Sequence, residues 1–134
     1  MEKQKYKQLE VKFSRLIGEV IVKAEARENQ SCVRFECESG KLYVLKHTEN
    51  CCESVWLEST EGLDTLLGKV VNVNVEDEDI SMPEGCDPHN DVWAGTFYRI
   101  ETNESVADIR FCGYTNSVYA LNASLYQLTL IVSV

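Results

Sequence analysis

The clearest pattern along the chain is an alternation of apolar and polar residues, which is typical of β-strands with one buried face. In SCVRFECESGKLYVLKH, at 31–47, the alternation runs on both sides of Ser39 and Gly40, a pair suited to a tight turn, so a β-hairpin is predicted. A second hairpin is predicted from WAGTFYRIET and SVADIRFCGY, at 93–102 and 105–114, which are separated by two residues.

Other segments complete the set of predicted elements. Further strands are predicted at EVIVKAEAR (19–27), ESVWLES (53–59), VVNVNVE (70–76) and along the extended tail. An amphipathic helix ending at Gly18 is predicted from four apolar residues at the spacing of one helical face: Leu9, Phe13, Leu16 and Ile17. One or two helical turns closed by Gly68 are predicted in EGLDTLLGK, at 61–69.

These elements predict an α+β fold: a single domain, 1–134, with one antiparallel β-sheet and a few short helices. Residues 1–8 are expected to be flexible, and 76–92 to form an acidic loop. The last 24 residues, 111–134, contain no charged side chain. They are therefore expected to pack in the core or against another subunit, although their polar residues could instead line a neutral pocket.

The charge distribution limits the range of partners. The net charge is -9, and residues 1–27 hold seven of the thirteen basic groups. The remaining acidic body would repel duplex nucleic acid, although one or two arginines could still hold a small anion. No secretory leader or apolar span is apparent, so a cytoplasmic protein with no membrane partner and with six reduced cysteines is expected.

Catalytic and metal sites are weakly supported by the sequence. Zinc ligands could come from five residues in two segments: His47, Cys51, Cys52, Cys86 and His89. However, adjacent cysteines on a strand point to opposite faces, so metal-free protein is favoured. Cys32, Cys37 and Cys112 lie in apolar alternation and are interpreted as buried thiols. No nucleophile is placed beside a base, so no catalytic residue and no cofactor is predicted.

A binding site is better supported. Arg99 and Arg110 are the only basic residues after Lys69, and they lie on the two strands of the second hairpin. Trp93 and Phe97 accompany them, and an arginine fork with aromatic rings suits a phosphate and a stacked base. In the alternative interpretation, Arg110 pairs with a surface carboxylate, Asp108 or Glu101, and the aromatic rings fill the core.

Five motifs resemble a family of small phage and prophage proteins: FSRLIGEVIVK, ENCCESVWLE, GLDTLLGKVV, WAGTFYRIET and IRFCGYTNSVY. That family is similar to the phage Thoeris anti-defence sponges, which sequester cyclic ADP-ribose isomers, and some members also hold cyclic oligonucleotides. The resemblance implies a homo-oligomeric protein that binds a small cyclic nucleotide without cleaving it. It also implies that Arg110, Asn116 and Tyr119 contact the ligand, although Ser117 and Val118 stand where the family pattern has Gly and Tyr.

Two other functions remain open at this point. The acidic body could dock on a host defence protein as a nucleic-acid mimic and inhibit it. Alternatively, the protein could be a small metalloenzyme or a zinc-stabilised domain. The segment ENCCESVWLES, at 49–59, is interpreted as scaffold: a core strand with one cysteine buried on each face and Trp56 packed beneath the sheet.

Overall fold

The computed structural model describes residues 5–49, 52–79, 85, 91–116 and 120–131. These residues form nine strands: β1 Lys5–Val11, β2 Val20–Arg27, β3 Cys32–Cys37, β4 Leu42–Lys46, β5 Ser54–Glu61, β6 Gly68–Asp79, β7 Val92–Thr102, β8 Val106–Thr115 and β9 Ser124–Ile131. All pairings are antiparallel, in the order β1-β9-β4-β3-β2-β6-β7-β8-β5. Both predicted hairpins are confirmed, since β3 pairs with β4 and β7 pairs with β8.

The predicted α+β class is wrong, because the fold is antiparallel β throughout the described residues. Its helical content there is limited to 3₁₀ turns at Phe13–Leu16, Glu28–Gln30 and Leu63–Thr65. The N-terminal helix is replaced by β1, which pairs along its length with β9. Leu9 and Ile17 are 60% and 47% exposed, so the helical spacing does not define one buried face. Pairing with a distant strand satisfies the β1 backbone and overrides the local pattern.

The second predicted helix is a single turn. Leu63 and Leu66 are both buried, and the helical conformation stops before Leu66, which has φ −77° and ψ 89°. Gly68 then begins β6 with φ +106°, a conformation that favours glycine. The predicted helical turn is therefore present, but it ends at Thr65, and Gly68 belongs to the next strand.

The sheet consists of two halves, defined here as the first half (β1, β9, β4, β3, β2) and the second half (β6, β7, β8, β5). Only two residue pairs, Val20 with Lys69 and Ile21 with Gly68, join β2 to β6. Both strands carry register irregularities close to this junction, and such bulges bend a sheet. Buried residues of both halves, such as Phe35 and Phe111, belong to one core cluster, so the halves pack face to face.

Tyr98 on β7 connects the two halves through its hydroxyl group. The hydroxyl donates a hydrogen bond to the Ala123 carbonyl oxygen at 2.6 Å and accepts one from the Ala123 N–H at 2.8 Å. The Tyr98 ring also makes edge contacts with Phe13 and Phe111. Burial raises the pKa of Tyr98 to about 12, so the hydroxyl stays protonated and can make both bonds at neutral pH.

The uncharged C-terminal segment contributes a central strand. β9 lies between β1 and β4, and Leu125 is 2% exposed. The prediction of core packing is confirmed for this strand, while packing against a second subunit stays a prediction. Residues 5–8 belong to β1, and 76–79 extend β6. Among the described residues, no helix has the length and apolar character needed to cross a bilayer.

Candidate functional site

Four predicted ligand residues lie on one face of the second half. Along β7 the side chains alternate, so that Tyr98 enters the core while Trp93, Phe97 and Arg99 occupy the opposite face. Arg110 on β8 lies directly opposite Phe97 and therefore shares that face. We call this surface the second-half outer face.

The other two predicted ligand residues are less well placed. Asn116 is exposed and follows directly after the end of β8 at Thr115. Tyr119 lies outside the described residues. The structure therefore groups four of the six candidates on one face: Trp93, Phe97, Arg99 and Arg110. Asn116 lies just beyond the C-terminal end of β8, and Tyr119 is outside the described residues.

Arg110 is held by a carboxylate and an aromatic ring. Its Nε donates a hydrogen bond to Glu78 Oε2 at 2.8 Å, and its guanidinium carbon lies 5.6 Å from the Phe97 ring centroid. The side chain is 27% exposed. Among the described residues, no hydrogen bond engages its two Nη groups, so they can donate to a ligand. The sequence had suggested Asp108 or Glu101 as the carboxylate partner.

Arg99 forms a two-point pair with a carboxylate. Its Nε and Nη2 donate to the two carboxylate oxygens of Asp108, at 2.8 and 3.1 Å. These hydrogen bonds and the charge of Asp108 raise the pKa of Arg99. The pair borders a groove of about 310 Å³ lined by Glu61, Asn74, Glu76, Phe97, Arg99 and Asp108. Arg110 is consequently the better candidate for contacting an anion.

Three rings form an aromatic cluster on the same face: Trp56, Trp93 and Tyr114. The Trp93 ring centroid lies 4.9 Å from that of Tyr114 and 6.3 Å from that of Trp56. Trp56 Nε1 donates to Glu58 at 2.7 Å. Trp93 Nε1 is buried and has no hydrogen-bond partner within the described residues. The cluster offers π-faces, a feature suited to a flat heterocycle.

Trp56 was missed as a site residue at the sequence level. Trp56 had been interpreted as packed beneath the sheet, but it is half-buried on the outer face, opposite Cys112 on β8. Its contact with Trp93 depends on the order β7-β8-β5. The cluster could have been identified from the aromatic residues that point to the same face on three neighbouring strands. Recognising this requires the strand order and register, which the sequence does not give.

Two of the candidate metal ligands, Cys52 and His47, are bonded to other groups of the protein. Cys52 is exposed and disulfide-bonded, and its partner lies outside the described residues, so the predictions of a reduced and buried residue are wrong here. The free cysteines Cys32, Cys37 and Cys112 are buried, as predicted. His47 Nδ1 lies 2.8 Å from the Asn122 carbonyl oxygen, a hydrogen bond in which the imidazole must donate.

The remaining metal candidates do not define a centre. The second nitrogen of His47, Nε2, lies 3.4 Å from Glu53 Oε1, and both side chains are almost fully buried. Cys51, Cys86 and His89 lie outside the described residues. In the described part of the chain, no group of three His, Cys, Asp or Glu residues is arranged to hold a metal ion.

The charge of the second-half outer face is negative. Two arginines, Arg99 and Arg110, share this face with six carboxylates of the four strands: Glu58, Glu61, Glu76, Glu78, Glu101 and Asp108. Both arginines are paired with members of this set. An anion must therefore bind locally at Arg110, because the wider face repels negative charge.

The fold and site together define an antiparallel β protein with an arginine and aromatic rings on one exposed face. A model of the DUF7448 family, a domain of unknown function, matches residues 14–125. This match covers most of the chain and includes strands from both halves, so the protein belongs to that family. No curated protein and no solved structure matches the chain.

Proposed function

We propose that the protein is a phage anti-defence sponge that binds and sequesters cyclic nucleotide immune signals without cleaving them. The observation that carries this proposal is the presence of Arg110 on the same face as the aromatic cluster. Arginine Nη groups suit a phosphate, and the π-faces of the cluster suit a base. Positions 110 and 114 are separated by about 13 Å along β8, from a rise of roughly 3.3 Å per residue. That span suits a compact cyclic nucleotide with its base and phosphates at opposite ends.

In this proposal Arg110 anchors the phosphates through its Nη groups while Glu78 fixes the guanidinium through Nε. The Phe97 ring supports the guanidinium from one side. Hydrogen bonds to charged groups contribute about 1.5–3 kcal/mol each, so two such bonds can hold a ligand on an otherwise acidic face. Asn116 extends from the end of β8 and could contact a ribose or base edge.

Calorimetry with cyclic ADP-ribose isomers and cyclic dinucleotides tests this function. Wild-type protein should bind one of these ligands, and Arg110→Gln should weaken binding at least tenfold because the phosphate loses its fork. Lys69→Gln is the matched control, since Lys69 is exposed in the same half but lies at the sheet junction. Recovery of unaltered ligand supports a sponge, whereas a cleaved product indicates an enzyme. Absence of binding to all of these ligands refutes the proposal.

The proposed sponge acts in the cytoplasm of an infected bacterial host and needs no metal or organic cofactor. It is proposed to be a homo-oligomer, a dimer or larger, that binds neither duplex nucleic acid nor membrane. Light scattering at micromolar concentration tests the assembly, and a monomer over the whole concentration range would contradict it. The DUF7448 match is compatible with this function but does not assign it.

A second candidate function follows from the six carboxylates on the second-half outer face. A surface of this charge could dock in the basic groove of a host defence protein and act as a nucleic-acid mimic. The double variant Glu61→Gln, Glu76→Gln, which leaves the Glu78–Arg110 pair intact, should then weaken inhibition of that protein and reduce the salt dependence of the interaction. Under the sponge proposal, by contrast, removing these two charges should leave ligand binding unchanged or improve it.

A further inference from the structure

A separate groove lies on the outer face of the first half, on the opposite side of its strands from the core. It has a volume of about 370 Å³, and its lining includes Tyr6, Gln8, Gln30, Cys32, Arg34 and Lys46. The strand register places Cys32 opposite Lys46, so one side of the groove is built on the β3–β4 hairpin. A volume of this size falls in the range of small-molecule pockets.

Two cations in this groove have no carboxylate partner among the described residues: Arg34 and Lys46. Glu25 lies directly opposite Arg34 on β2, but it contacts Lys23 at 3.9 Å and Arg27 at 3.6 Å. The Lys46 ammonium group lies 5.5 Å from the centroid of the Tyr126 ring, which holds the amine without neutralising its charge. The groove is therefore locally positive in a protein of net charge -9.

Further observations support a concentration of positive charge here. Arg27 Nε is buried and lacks a hydrogen-bond partner within the described residues. Burial raises the pKa of Cys32, the charges of Arg27, Arg34 and Lys46 each lower it, and the charge of Glu25 raises it. Three cations thus act on one sulfur atom at the base of the groove, while the thiol itself stays neutral. The carboxylates of this face, including Glu25 and Glu36, do not line the groove, so an anion entering it would meet Arg34 and Lys46 directly.

We propose that this groove binds a small organic phosphate, with the phosphoryl group between Arg34 and Lys46. Arginine provides a planar fork and lysine a point charge, a combination that suits a phosphate dianion. The Tyr6 ring and the amides of Gln8 and Gln30 can contact the organic part. This site is independent of Arg110, which lies in the other half of the sheet.

The test uses calorimetry at low ionic strength with inorganic phosphate, adenosine 5′-monophosphate and uncharged adenosine. Wild-type protein should bind the monophosphate more tightly than phosphate, and adenosine weakly or not at all. Arg34→Gln and Lys46→Gln should each weaken monophosphate binding about tenfold or more. Arg34→Lys, which keeps the charge but removes the fork, should bind with intermediate affinity.

Lys23→Gln is the matched control, because Lys23 shares the outer face, is paired with Glu25 and does not line the groove. Equal losses in Lys23→Gln and Arg34→Gln would show a diffuse charge effect and overturn the site. Absence of monophosphate binding to wild type, or binding only to long RNA or anionic vesicles, would also overturn it. Thermal melts must show that the variants are folded. Arg110→Gln should leave this binding intact, so the two sites can fail separately.

Discussion

The hydroxyl group of Tyr98 offers a sharp test of how the two halves are held together. Tyr98→Phe removes one oxygen atom and keeps the ring that contacts Phe13 and Phe111. The substitution should therefore leave the apolar packing nearly unchanged. What it removes is the pair of hydrogen bonds to the N–H and carbonyl groups of Ala123.

The expected cost follows from the burial of this contact. Ala123 is 5% exposed, so its N–H and carbonyl groups lose their partner without gaining full access to water. A buried polar group left unsatisfied costs about 1–3 kcal/mol, so the loss of both partners should lower the free energy of unfolding by about 2–6 kcal/mol. For a domain of this size, that corresponds to a Tm decrease of roughly 7–20 °C.

Urea unfolding monitored by circular dichroism measures this loss directly. Tyr126→Phe is the matched control, because the Tyr126 hydroxyl bonds to Thr48 at 2.9 Å at an exposed position where water can replace it. That control should change the free energy of unfolding by less than about 1 kcal/mol. If the Tyr98 and Tyr126 variants were equally stable, the hydroxyl of Tyr98 would not join the halves and the reasoning would fail.

Three further predictions concern backbone strain, pH and thiol reactivity. Gly62→Ala should destabilise the protein more than Gly18→Ala in thermal melts. Both glycines have positive φ, but only at Gly62 would a Cβ lie 2.5 Å from a carbonyl oxygen of β8. Burial raises the pKa of Cys37 from 9.0 and of Tyr43 from 10.0, each to about 12, so the native state retains protons that the unfolded chain loses. Urea midpoints should therefore fall as pH rises from about 9 towards 12, and a flat profile would contradict this. Cys37 should also react with iodoacetamide at pH 8 far more slowly in the native than in the unfolded protein, and mass spectrometry of the labelled peptide measures the difference.

The strands were predictable because their signal is local. In β3 the alternation of Val33 and Phe35 with polar residues requires no knowledge of the rest of the chain, and the turn at Ser39 and Gly40 fixes the partner strand. The same reasoning identified β7 and β8. Each of these elements carries its pattern, its turn and its pairing partner within about twenty residues.

The N-terminal strand was not predictable for the opposite reason. β1 pairs with β9, which lies more than a hundred residues away in the sequence. Its Leu9 is exposed, so β1 does not show the alternation of buried and exposed residues that marks a half-buried strand. Four apolar residues at helical spacing gave a local pattern that the distant pairing overrode. The fold class was wrong because this one segment supplied most of the predicted helix.

The site was predictable only in part, because residue types are visible in the sequence and registers are not. Arg110 and Phe97 were recognised as candidates, but the partner of Arg110 was missed because Glu78 was assigned to a loop rather than to β6. Because β6 extends through Glu78, the register places this residue opposite Gly95. Gly95 lies two residues before Phe97 and is its neighbour on the same face of the sheet. The carboxylate then reaches the arginine across a position that has no side chain.

The net charge of the chain does not show how charge is distributed between the faces of the sheet, because that distribution depends on the register. On the outer face of the second half, six carboxylates surround two arginines that are both paired. On the outer face of the first half, four basic residues of the paired strands, Lys23, Arg27, Arg34 and Lys46, meet three acidic ones, Glu10, Glu25 and Glu36. The two outer faces therefore present different fields to a ligand, and the Debye length of about 8 Å at physiological ionic strength limits how far each field reaches. An anion near Arg34 experiences the local excess of positive charge far more strongly than the net charge of the molecule. A protein that repels nucleic acid as a whole can for this reason still hold a small phosphate on one face.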